Sequence, residues 1–516
     1  MQGKMAKTIM VCGTGSGVGK SVITAGLCRI FYEDGFKVAP FKSQNMALNS
    51  YVTRNGREMA RAQAFQARCC NIEPASDMNP ILIKPIMDTR AQIIVNGKAI
   101  GNYDVQGYDE YKSRAFETAK SAFKRLQKDY EIIVMEGAGS PAEINLKNDI
   151  ANLKMASFAK APVILAGDID NGGVFAWLVG TIGLLSKTER KQIKGLIINK
   201  FRGDYKILEP GLKFIAERTG VPVLGVIPFI HNMKIEEEDS VPKNLFLKRP
   251  VRPKKQITVK VLCLPHISNF TDFDCFDSEA DVDLEYVKFG EKLGSPDILI
   301  IPGTKHTIGD LANLKEFGYA GPIKKLAING TLIVGLCGGY QILGKEIRDW
   351  HGYESENNYA SGLGLLDVTT EFKPKKIVSQ VEAEPVAGSA DFLRKGQKFH
   401  GYEIHMGRTC YLSGSARPLF KLKRINSAGG GRYILDGAIN KGGNVIGTYI
   451  HGIFDNPYFR NALLNRIRKA KGIKAGYSGR PDASGEEISR LAGTLRENLD
   501  IGAIYKILGL GAKCQT

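Results

Sequence analysis

Short apolar runs that stop at glycine recur along the chain, and many are followed by apolar residues at helical spacing. The first run, TIMVCG, leads into a glycine loop and then into Ile23, Leu27, Ile30 and Phe31. Short apolar runs of this kind are typical of buried parallel strands, and the spacing after them is typical of amphipathic helices. The alternation predicts an α/β fold with doubly wound, mostly parallel sheets.

The pattern changes once, in the middle of the chain. An acidic run from Glu236 to Asp239 is followed by a basic stretch that prolines interrupt as far as Lys255. Such a change is typical of a linker, and 516 residues are too many for one ordinary core. We therefore predict a first domain over 1–235, a linker over 236–256, a second domain over 257–480 and a partly helical tail over 481–516.

The loop after the first strand reads GTGSGVGKS and opens a helix. In such a loop, backbone N–H groups point at phosphate oxygens, the lysine neutralises phosphate charge and the serine can hold Mg²⁺. The spacing is a variant, because Thr14 stands where the plain motif has glycine. A glycine turn without a nucleotide is the alternative. We predict that ATP is bound by Thr14, Gly15, Gly17, Val18, Gly19, Lys20 and Ser21.

Polar and acidic residues follow the other predicted strands of the first domain. Two of these strands end in Glu136 and Asp168, and a polar segment follows the strand KVAPF. The carboxyl edge of an open α/β sheet faces the ligand, so we expect both acids to join Ser21 at the metal. Capped loops or helix caps are the alternative for each. The expected substrate contacts are Lys42, Gln44 and Asn45.

The second domain contains a cysteine framed by glycines, in the segment TLIVGLCGGYQILG. Gly335, Gly338 and Gly339 leave room for a sharp turn that carries Cys337 between a strand and a helix. The positive N-terminus of that helix favours the thiolate, which attacks carbonyl carbon. We therefore predict acyl transfer at Cys337. A buried structural cysteine is the alternative, and the glycine frame argues against it.

Cys337 needs a proton acceptor. His451 is the best placed histidine, because it also ends an apolar strand directly before a glycine. We predict that His451 is the base and that the N–H groups of Gly303 and Gly338 hold the oxyanion. Gly303 could equally be only a turn at the end of a strand.

These motifs carry a family resemblance. The second domain resembles a class I glutamine amidotransferase domain in PGTKHT, GLCGGYQILG and HGIF, and the first resembles the dethiobiotin synthetase type of phosphate-loop fold in GTGSGVGKS and VMEGAGS. Together with SQNMALNS, GDIDNGGVFA, LPHISNFTDFD and GYEIHMGRT, they are similar to the cobyric acid synthase family over essentially the whole chain. The resemblance implies a carbon–nitrogen ligase that uses ATP, Mg²⁺ and glutamine. Its expected substrate is a corrinoid, adenosylcobyrinic acid a,c-diamide, amidated at the b, d, e and g carboxylates in cobalamin biosynthesis.

One position departs from the amidotransferase pattern. Many such domains carry a glutamate two residues beyond the histidine, where this chain has Ile453. The resembled family is understood to work with the cysteine and histidine alone, so we do not expect inactivation. The sequence does not identify the group that orients His451; Glu403 in GYEIHMG is a further candidate site residue whose position the sequence does not give.

Composition adds limits on the partners and the compartment. Lysine and arginine number 71 against 53 acidic residues, but the basic residues are scattered and no nucleic-acid motif is recognisable, so we expect no nucleic-acid partner. The longest apolar run, from Val174 to Leu185, is too short to span a membrane. Nine irregularly spaced cysteines fit a reducing cytoplasm. The oligomeric state is left open.

Two other functions compete with this interpretation. One is the sibling enzyme that amidates the a and c carboxylates of cobyrinic acid with the same two domains. The other is a nucleotide-driven binding switch that keeps the amidotransferase fold only for interaction. Such switches usually carry a lysine where Gly15 stands, and they would not need both Cys337 and His451.

Overall fold

The computed structural model describes most of both predicted domains. The predicted linker lies outside the described residues up to position 254, and the domain limits stay predictions. The described residues are 5–87, 89–143, 149–230, 255–355, 357–412, 414–425, 433–476 and 483–511.

Six parallel strands form the sheet of the first domain. The strand Lys7–Gly13 lies between the other two strands that end at predicted site residues. Because parallel strands end at the same edge, Gly13, Glu136 and Asp168 meet there. In spatial order the strands are Val223–Pro228, Ile193–Phe201, Val163–Asp168, Lys7–Gly13, Ile132–Glu136 and Val38–Phe41.

Helices cover both faces of this sheet, as its continuously apolar strands require. They fill two buried cores, one on each side of the strand Lys7–Gly13. The helices are Lys20–Glu33, Arg61–Cys69, Val105–Asp129, Leu153–Ala159, Val174–Leu184, Lys187–Arg190 and Tyr205–Thr219.

An insertion that the sequence analysis did not predict follows the strand Val38–Phe41. It contains a two-stranded hairpin, Ser50–Val52 and Glu58–Ala60, which leads directly into the helix Arg61–Cys69. It also contains a four-stranded sheet, which packs with the hairpin between the two domains. The strands of that sheet are Gln44–Met46, Ile81–Met87, Arg90–Val95 and Lys98–Asp104.

The second domain has its own sheet, parallel except for its last strand. Its strands, in spatial order, are Val282–Val287, Ile257–Leu262, Ile298–Ile301, Leu332–Leu336, Val445–Thr448 and Ala438–Ile439. The helical segments of this domain are Phe270–Ser278, a 3₁₀ helix, then Thr307–Glu316, Ala320–Ile328, Gly338–Leu343, Ile453–Asp455, also 3₁₀, and Pro457–Ala470.

A second, mainly antiparallel sheet lies beside it. Its two long strands, Val368–Pro385 and Phe399–Tyr411, pair along most of their length and reach the insertion of the first domain. The shorter strands are Glu346–Arg348, Tyr359–Ser361, Phe420–Arg424 and Ile434–Asp436.

The C-terminal segment returns to the first domain. Its helices, Ala483–Asn498 and Ile501–Ile507, pack against the helix Lys20–Glu33, with Leu491 and Leu495 fully buried. A side chain at Gly26 would come within 2.3 Å of Leu495, so the two helices need a glycine at their contact. The predicted tail therefore completes the core of the first domain.

Two global features bear on the expected compartment. Within the described ranges, no helix combines the length and the hydropathy that a bilayer crossing requires. The cysteines in these ranges are all free thiols, without a disulfide.

Candidate active sites

Cys337 lies on the sharp turn that the sequence predicts. Its φ of 52° and ψ of −109° are unusual for a side-chain-bearing residue, and such conformations concentrate at functional sites. A Cβ atom at Gly339 would lie 1.9 Å from the carbonyl oxygen of Ile301, and one at Gly335 would lie 2.7 Å from Gly339. The glycine frame is therefore a steric requirement of the turn, as predicted.

His451 lies between Cys337 and Asp272, and Asp272 accepts a hydrogen bond from its imidazole. The imidazole lines the same pocket as Cys337, whose Sγ donates to the carbonyl oxygen of Ile404 at 3.6 Å, and its Nδ1 lies 2.7 Å from Oδ2 of Asp272. The other carboxylate oxygen of Asp272 accepts the Gly452 N–H at 3.1 Å, which fixes the carboxylate plane. All three side chains come together below the surface, in the order nucleophile, base and orienting acid.

The electrostatics of this triad favour the protonated form of His451. Burial works against a charge on the imidazole, but Asp272 and then Cys337 outweigh it and raise the pKa of His451 to about 9. His451 is therefore a cation at neutral pH. An imidazolium next to the sulfur stabilises a thiolate, the reactive form of cysteine.

Gly303 and Gly338 flank the same sulfur, where the oxyanion was predicted. A side chain at Gly303 would touch Cε1 of His451 at 3.4 Å, and one at Gly338 would lie 3.0 Å from the backbone nitrogen of Thr304. The strand-end turn and the start of the short helix Gly338–Leu343 are thus in contact. The oxyanion roles of Gly303 and Gly338 stay predictions.

The pocket around Cys337 is closed partly by the first domain. Ile86, Gln92 and Asn102 of the four-stranded sheet line it together with residues of the second domain. Buried ion pairs hold this contact, because Glu58 binds Lys84 at 2.9 Å and Lys376 of the second domain at 2.6 Å. Burial alone would raise the pKa of Glu58, but the two lysines hold it well below its usual range.

The phosphate loop has the predicted geometry at its lysine and glycines. Lys20 is buried and donates to the carbonyl oxygens of Gly15, at 2.8 Å, and Gly139, at 3.1 Å. Gly17 and Gly19 have positive φ, at 72° and 95°, where other residues are strained. These carbonyls hold the ammonium beside the loop. The Thr14 hydroxyl is buried without a hydrogen-bond partner in the described part of the chain.

A buried polar cluster adjoins the loop at Glu136. One carboxylate oxygen accepts from the Ser21 hydroxyl and from the Lys42 ammonium, both at 2.9 Å, and the other accepts from Gln66. Burial favours the neutral acid, but Lys42 and then Gln66 lower the pKa of Glu136. The structure thus brings together Ser21, Lys42 and Glu136, three of the predicted site residues.

The remaining predicted residues lie near this cluster but point to other partners. Asp168 is on the opposite side of the central strand and binds Lys200 at 3.1 Å, which in turn donates to the carbonyl of Gly17. Gln44 accepts from the Tyr108 hydroxyl. Asn45 is buried and donates to Gln63 at 2.9 Å. Their roles at a metal or a substrate stay predictions.

Several site residues were missed by the sequence analysis. Asp272 lies in the quoted segment LPHISNFTDFD, but nothing local distinguishes it from the acids beside it. Asn269 of the same segment contacts both ring nitrogens of His451 at 3.3 Å. Glu403, which the sequence could not place, binds His405 and Arg424. The group that holds His451, left open by the sequence, is Asp272.

Family models match both halves of the chain. One described as the CobB/CobQ-like glutamine amidotransferase domain matches residues 258–459, and one described as the CobQ/CobB/MinD/ParA nucleotide binding domain matches residues 9–242. A domain that hydrolyses glutamine is therefore joined to one that binds a nucleotide. This combination defines a glutamine-dependent amidotransferase, and it confirms the predicted α/β fold class.

Relatives of known name resemble the chain over its whole length. Cobyric acid synthase of Pelotomaculum thermopropionicum is 47% identical, with 98% of this chain and 97% of the relative covered. The enzymes of that name from Dehalococcoides mccartyi and Clostridium acetobutylicum are 48% and 47% identical, covering 99% and 98% of this chain and 100% and 99% of their own. The chain belongs to the cobyric acid synthase family, as its motifs predicted.

Proposed function

We propose that the protein uses ATP, Mg²⁺ and glutamine to amidate the b, d, e and g carboxylates of adenosylcobyrinic acid a,c-diamide. The observation that carries the proposal is the presence of a Cys337–His451–Asp272 triad and a phosphate loop in one chain of this family. The free cysteines support a cytoplasmic location.

The first reaction releases ammonia from glutamine. The Cys337 thiolate attacks the carboxamide carbon, and the N–H groups of Gly303 and Gly338 stabilise the oxyanion that forms. The His451 imidazolium gives its proton to the leaving nitrogen, so that neutral ammonia departs and a thioester remains. His451 then takes a proton from water, which hydrolyses the thioester to glutamate.

The pocket around Cys337 offers both charges that a free amino acid needs. Lys305 and Lys376 line it and can attract an α-carboxylate, and the half-buried Glu354 can attract an α-ammonium group. Burial raises the pKa of Glu354 to about 7 and lowers that of Lys376 to about 8, so both groups gain from an oppositely charged ligand. These charges support glutamine as the donor.

The second reaction activates the substrate carboxylate, which resists ammonia because it is anionic and has a poor leaving group. The carboxylate takes the terminal phosphoryl group of ATP, giving an acyl phosphate and ADP, and ammonia then displaces phosphate to leave the amide. Lys20 faces the loop where the phosphates would lie and can offset their charge. Lys42 is held beside the loop by Glu136 and could draw in the carboxylate.

The oxygens at the loop suit Mg²⁺, which prefers hydroxyl and carboxylate ligands. Ser21 and Glu136 are already hydrogen-bonded at 2.9 Å, and Asp168 lies across the central strand. These three residues would hold the ion, which when bound neutralises charge on the phosphates. The buried, partnerless hydroxyl of Thr14 adds a polar atom at the same loop.

The closure of the Cys337 pocket by the first domain supports direct transfer of ammonia. In water near neutral pH, ammonia becomes ammonium, which is not a nucleophile. Ile86, Gln92 and Asn102 line the pocket from the first domain, the domain that also carries the phosphate loop. We place the route of ammonia along this side.

One pair of variants tests whether glutamine hydrolysis and carboxylate activation occur at two separate sites. Cys337→Ala should abolish amidation with glutamine and keep it with high ammonium, whereas Lys20→Ala should abolish both. The exposed Cys410→Ala and Lys191→Ala variants serve as matched controls. Mass spectrometry of the corrinoid product measures the result, with four added amides expected from the unaltered protein.

Other outcomes would identify the competing functions. Two added amides on cobyrinic acid would indicate the sibling enzyme. Consumption of neither ATP nor glutamine in the presence of the corrinoid would leave only a binding switch, and loss of ammonium-dependent amidation in Cys337→Ala would refute the separation of the two sites.

A further inference from the structure

One helix of the first domain contacts both candidate active sites. At its start, Nη1 of Arg61 lies 3.7 Å from Oδ1 of Asp272, the acid that holds His451. Further along, Gln66 donates its amide N–H to Oε2 of Glu136 at 2.5 Å, beside the phosphate loop. The helix Arg61–Cys69 therefore contacts the triad through Arg61 and the nucleotide site through Gln66, five residues apart.

The helix Arg61–Cys69 is short and closely packed. At a rise of about 1.5 Å per residue, the Cα atoms of Arg61 and Gln66 are separated by only about 8 Å along the axis. Ala62, Ala64 and Ala67 are buried, so small side chains pack this segment closely against the domain. A displacement at one end of so short a helix reaches the other end.

The hairpin in front of the helix makes a second contact with the triad. The backbone N–H of Ser50 donates to Oδ1 of Asn269 at 2.9 Å, and the side-chain amide of Asn269 contacts His451. The second strand of this hairpin, Glu58–Ala60, runs into Arg61 without a break. Two side chains around His451 are thus held by one continuous segment of the first domain.

We propose that Arg61 is a positioning residue for glutamine hydrolysis, supplied by the nucleotide-binding domain, and that Gln66 links its position to the state of the phosphate loop. The inference rests on the proposed function. The Arg61 guanidinium faces Oδ1 of Asp272, leaving Oδ2 turned to His451. A ligand at the loop competes for Ser21 and Glu136, which changes the hydrogen bond of Gln66 and shifts the helix that carries Arg61.

The charged groups around His451 set the direction of the test. Asp272 and Cys337 both interact with the imidazole. The Arg61 guanidinium lies on the far side of Asp272, and Oδ2 of Asp455 is 3.3 Å from its Nη2. Removing the Arg61 cation takes away a repulsion from the imidazolium. The upper limb of the pH profile of glutamine hydrolysis, where His451 loses its proton, should therefore move to higher pH.

The first experiment compares Arg61→Gln with Arg68→Gln in the full chain. Arg68 lies on the same helix and is exposed; its guanidinium lies over the ring of Phe65 and interacts electrostatically with Asp455 and Tyr51, with no salt bridge recorded in the described residues, so it matches the charge change without the contact to Asp272. We expect Arg61→Gln to lower kcat for glutamine hydrolysis about tenfold with KM nearly unchanged, and to move the upper pH limb upward by about half a pH unit. Arg61→Lys should restore the pH limb, and Arg68→Gln should match the unaltered protein.

The second experiment tests the link to the loop. Alkylation of Cys337 by iodoacetamide is followed by peptide mass spectrometry, with and without a non-hydrolysable ATP analogue and Mg²⁺. We expect the analogue to change the alkylation rate of the unaltered protein, and we expect Gln66→Leu to lose that response while it still binds a fluorescent ATP analogue.

The experiments distinguish failure of the proposed function from failure of the role of Arg61 and of the link through Gln66. A chain that does not hydrolyse glutamine refutes the proposed function. A chain that does, but whose Arg61→Gln variant keeps the kcat and the pH limb of Arg68→Gln, refutes the role of Arg61. An alkylation response that persists in Gln66→Leu, or is missing from the unaltered protein, refutes the link.

Discussion

The replacement of Asp272 by asparagine should remove most glutamine hydrolysis while the fold stays intact. Asparagine has nearly the same shape and can still accept the Gly452 N–H through its carbonyl oxygen. It cannot supply the negative charge that lies 2.7 Å from Nδ1 of His451. The substitution therefore tests the charge and the orientation of the base together.

The size of the effect follows from the pKa of His451. Burial favours the neutral ring, yet Asp272 and Cys337 raise the pKa from 6.5 to about 9, which corresponds to about 3 kcal/mol in favour of the cation. Asp272 is the larger of these two favourable contributions. Without it, we expect kcat/KM for glutamine to fall roughly a hundredfold, because about 1.4 kcal/mol corresponds to a factor of ten.

The assay is glutamate release across the pH range, with ammonium-dependent amidation as a control for folding. The upper pH limb of Asp272→Asn should move to lower pH, opposite to the shift expected for Arg61→Gln. Asp277→Asn removes an exposed carboxylate from the same 3₁₀ segment and should behave like the unaltered protein. Glutamine hydrolysis within about threefold of normal and an unmoved limb near pH 9 would refute the reasoning.

Two further predictions concern stability. Leu491→Ala should destabilise the first domain by about 2–5 kcal/mol in urea unfolding, because it leaves a cavity against the helix Lys20–Glu33, whereas the exposed Glu497→Ala should change little. Glu403 is buried, but His405 and Arg424 outweigh the burial and hold its pKa at about 2, below the usual 4.5. Its contribution, about 3 kcal/mol, is present above pH 4.5 and is lost as the pH falls towards 2. Urea midpoints at pH 7 and 3.5 should therefore differ less for Glu403→Gln than for the unaltered protein, and equal differences would contradict this assignment.

The sequence was most informative where the strand, the turn and the functional residue are adjacent in one segment. Cys337 and His451 each end an apolar strand at glycine, and the phosphate loop joins its strand to its helix within nine residues from Gly13 to Ser21. In each case the turn, the strand and the functional side chain are neighbours in sequence. Backbone sterics then dictate the local geometry, and no long-range contact is needed to predict it.

Residues that act through long-range contacts could not be predicted in the same way. Asp272 is 179 positions away from His451, and Arg61 comes from the other domain. The contact of Asp272 with His451 exists only after the second domain has folded, and that of Arg61 with Asp272 only after the two domains have packed. The tail was a different case, because Ile488, Leu491 and Leu495 have helical spacing that predicts an amphipathic helix, but the spacing does not identify the surface it covers.

If the proposed roles hold, the contacts between the domains should make glutamine hydrolysis depend on the whole chain. A second domain on its own would keep Cys337, His451 and Asp272, but it would leave Lys376 without Glu58. Removing one partner of a buried charge pair costs about 3–5 kcal/mol, so the separated pocket would rearrange or fill with water. Ammonia released into that water would be protonated. The orientation of the triad by Arg61 and the closure of the pocket by the first domain would therefore depend on one and the same domain interface.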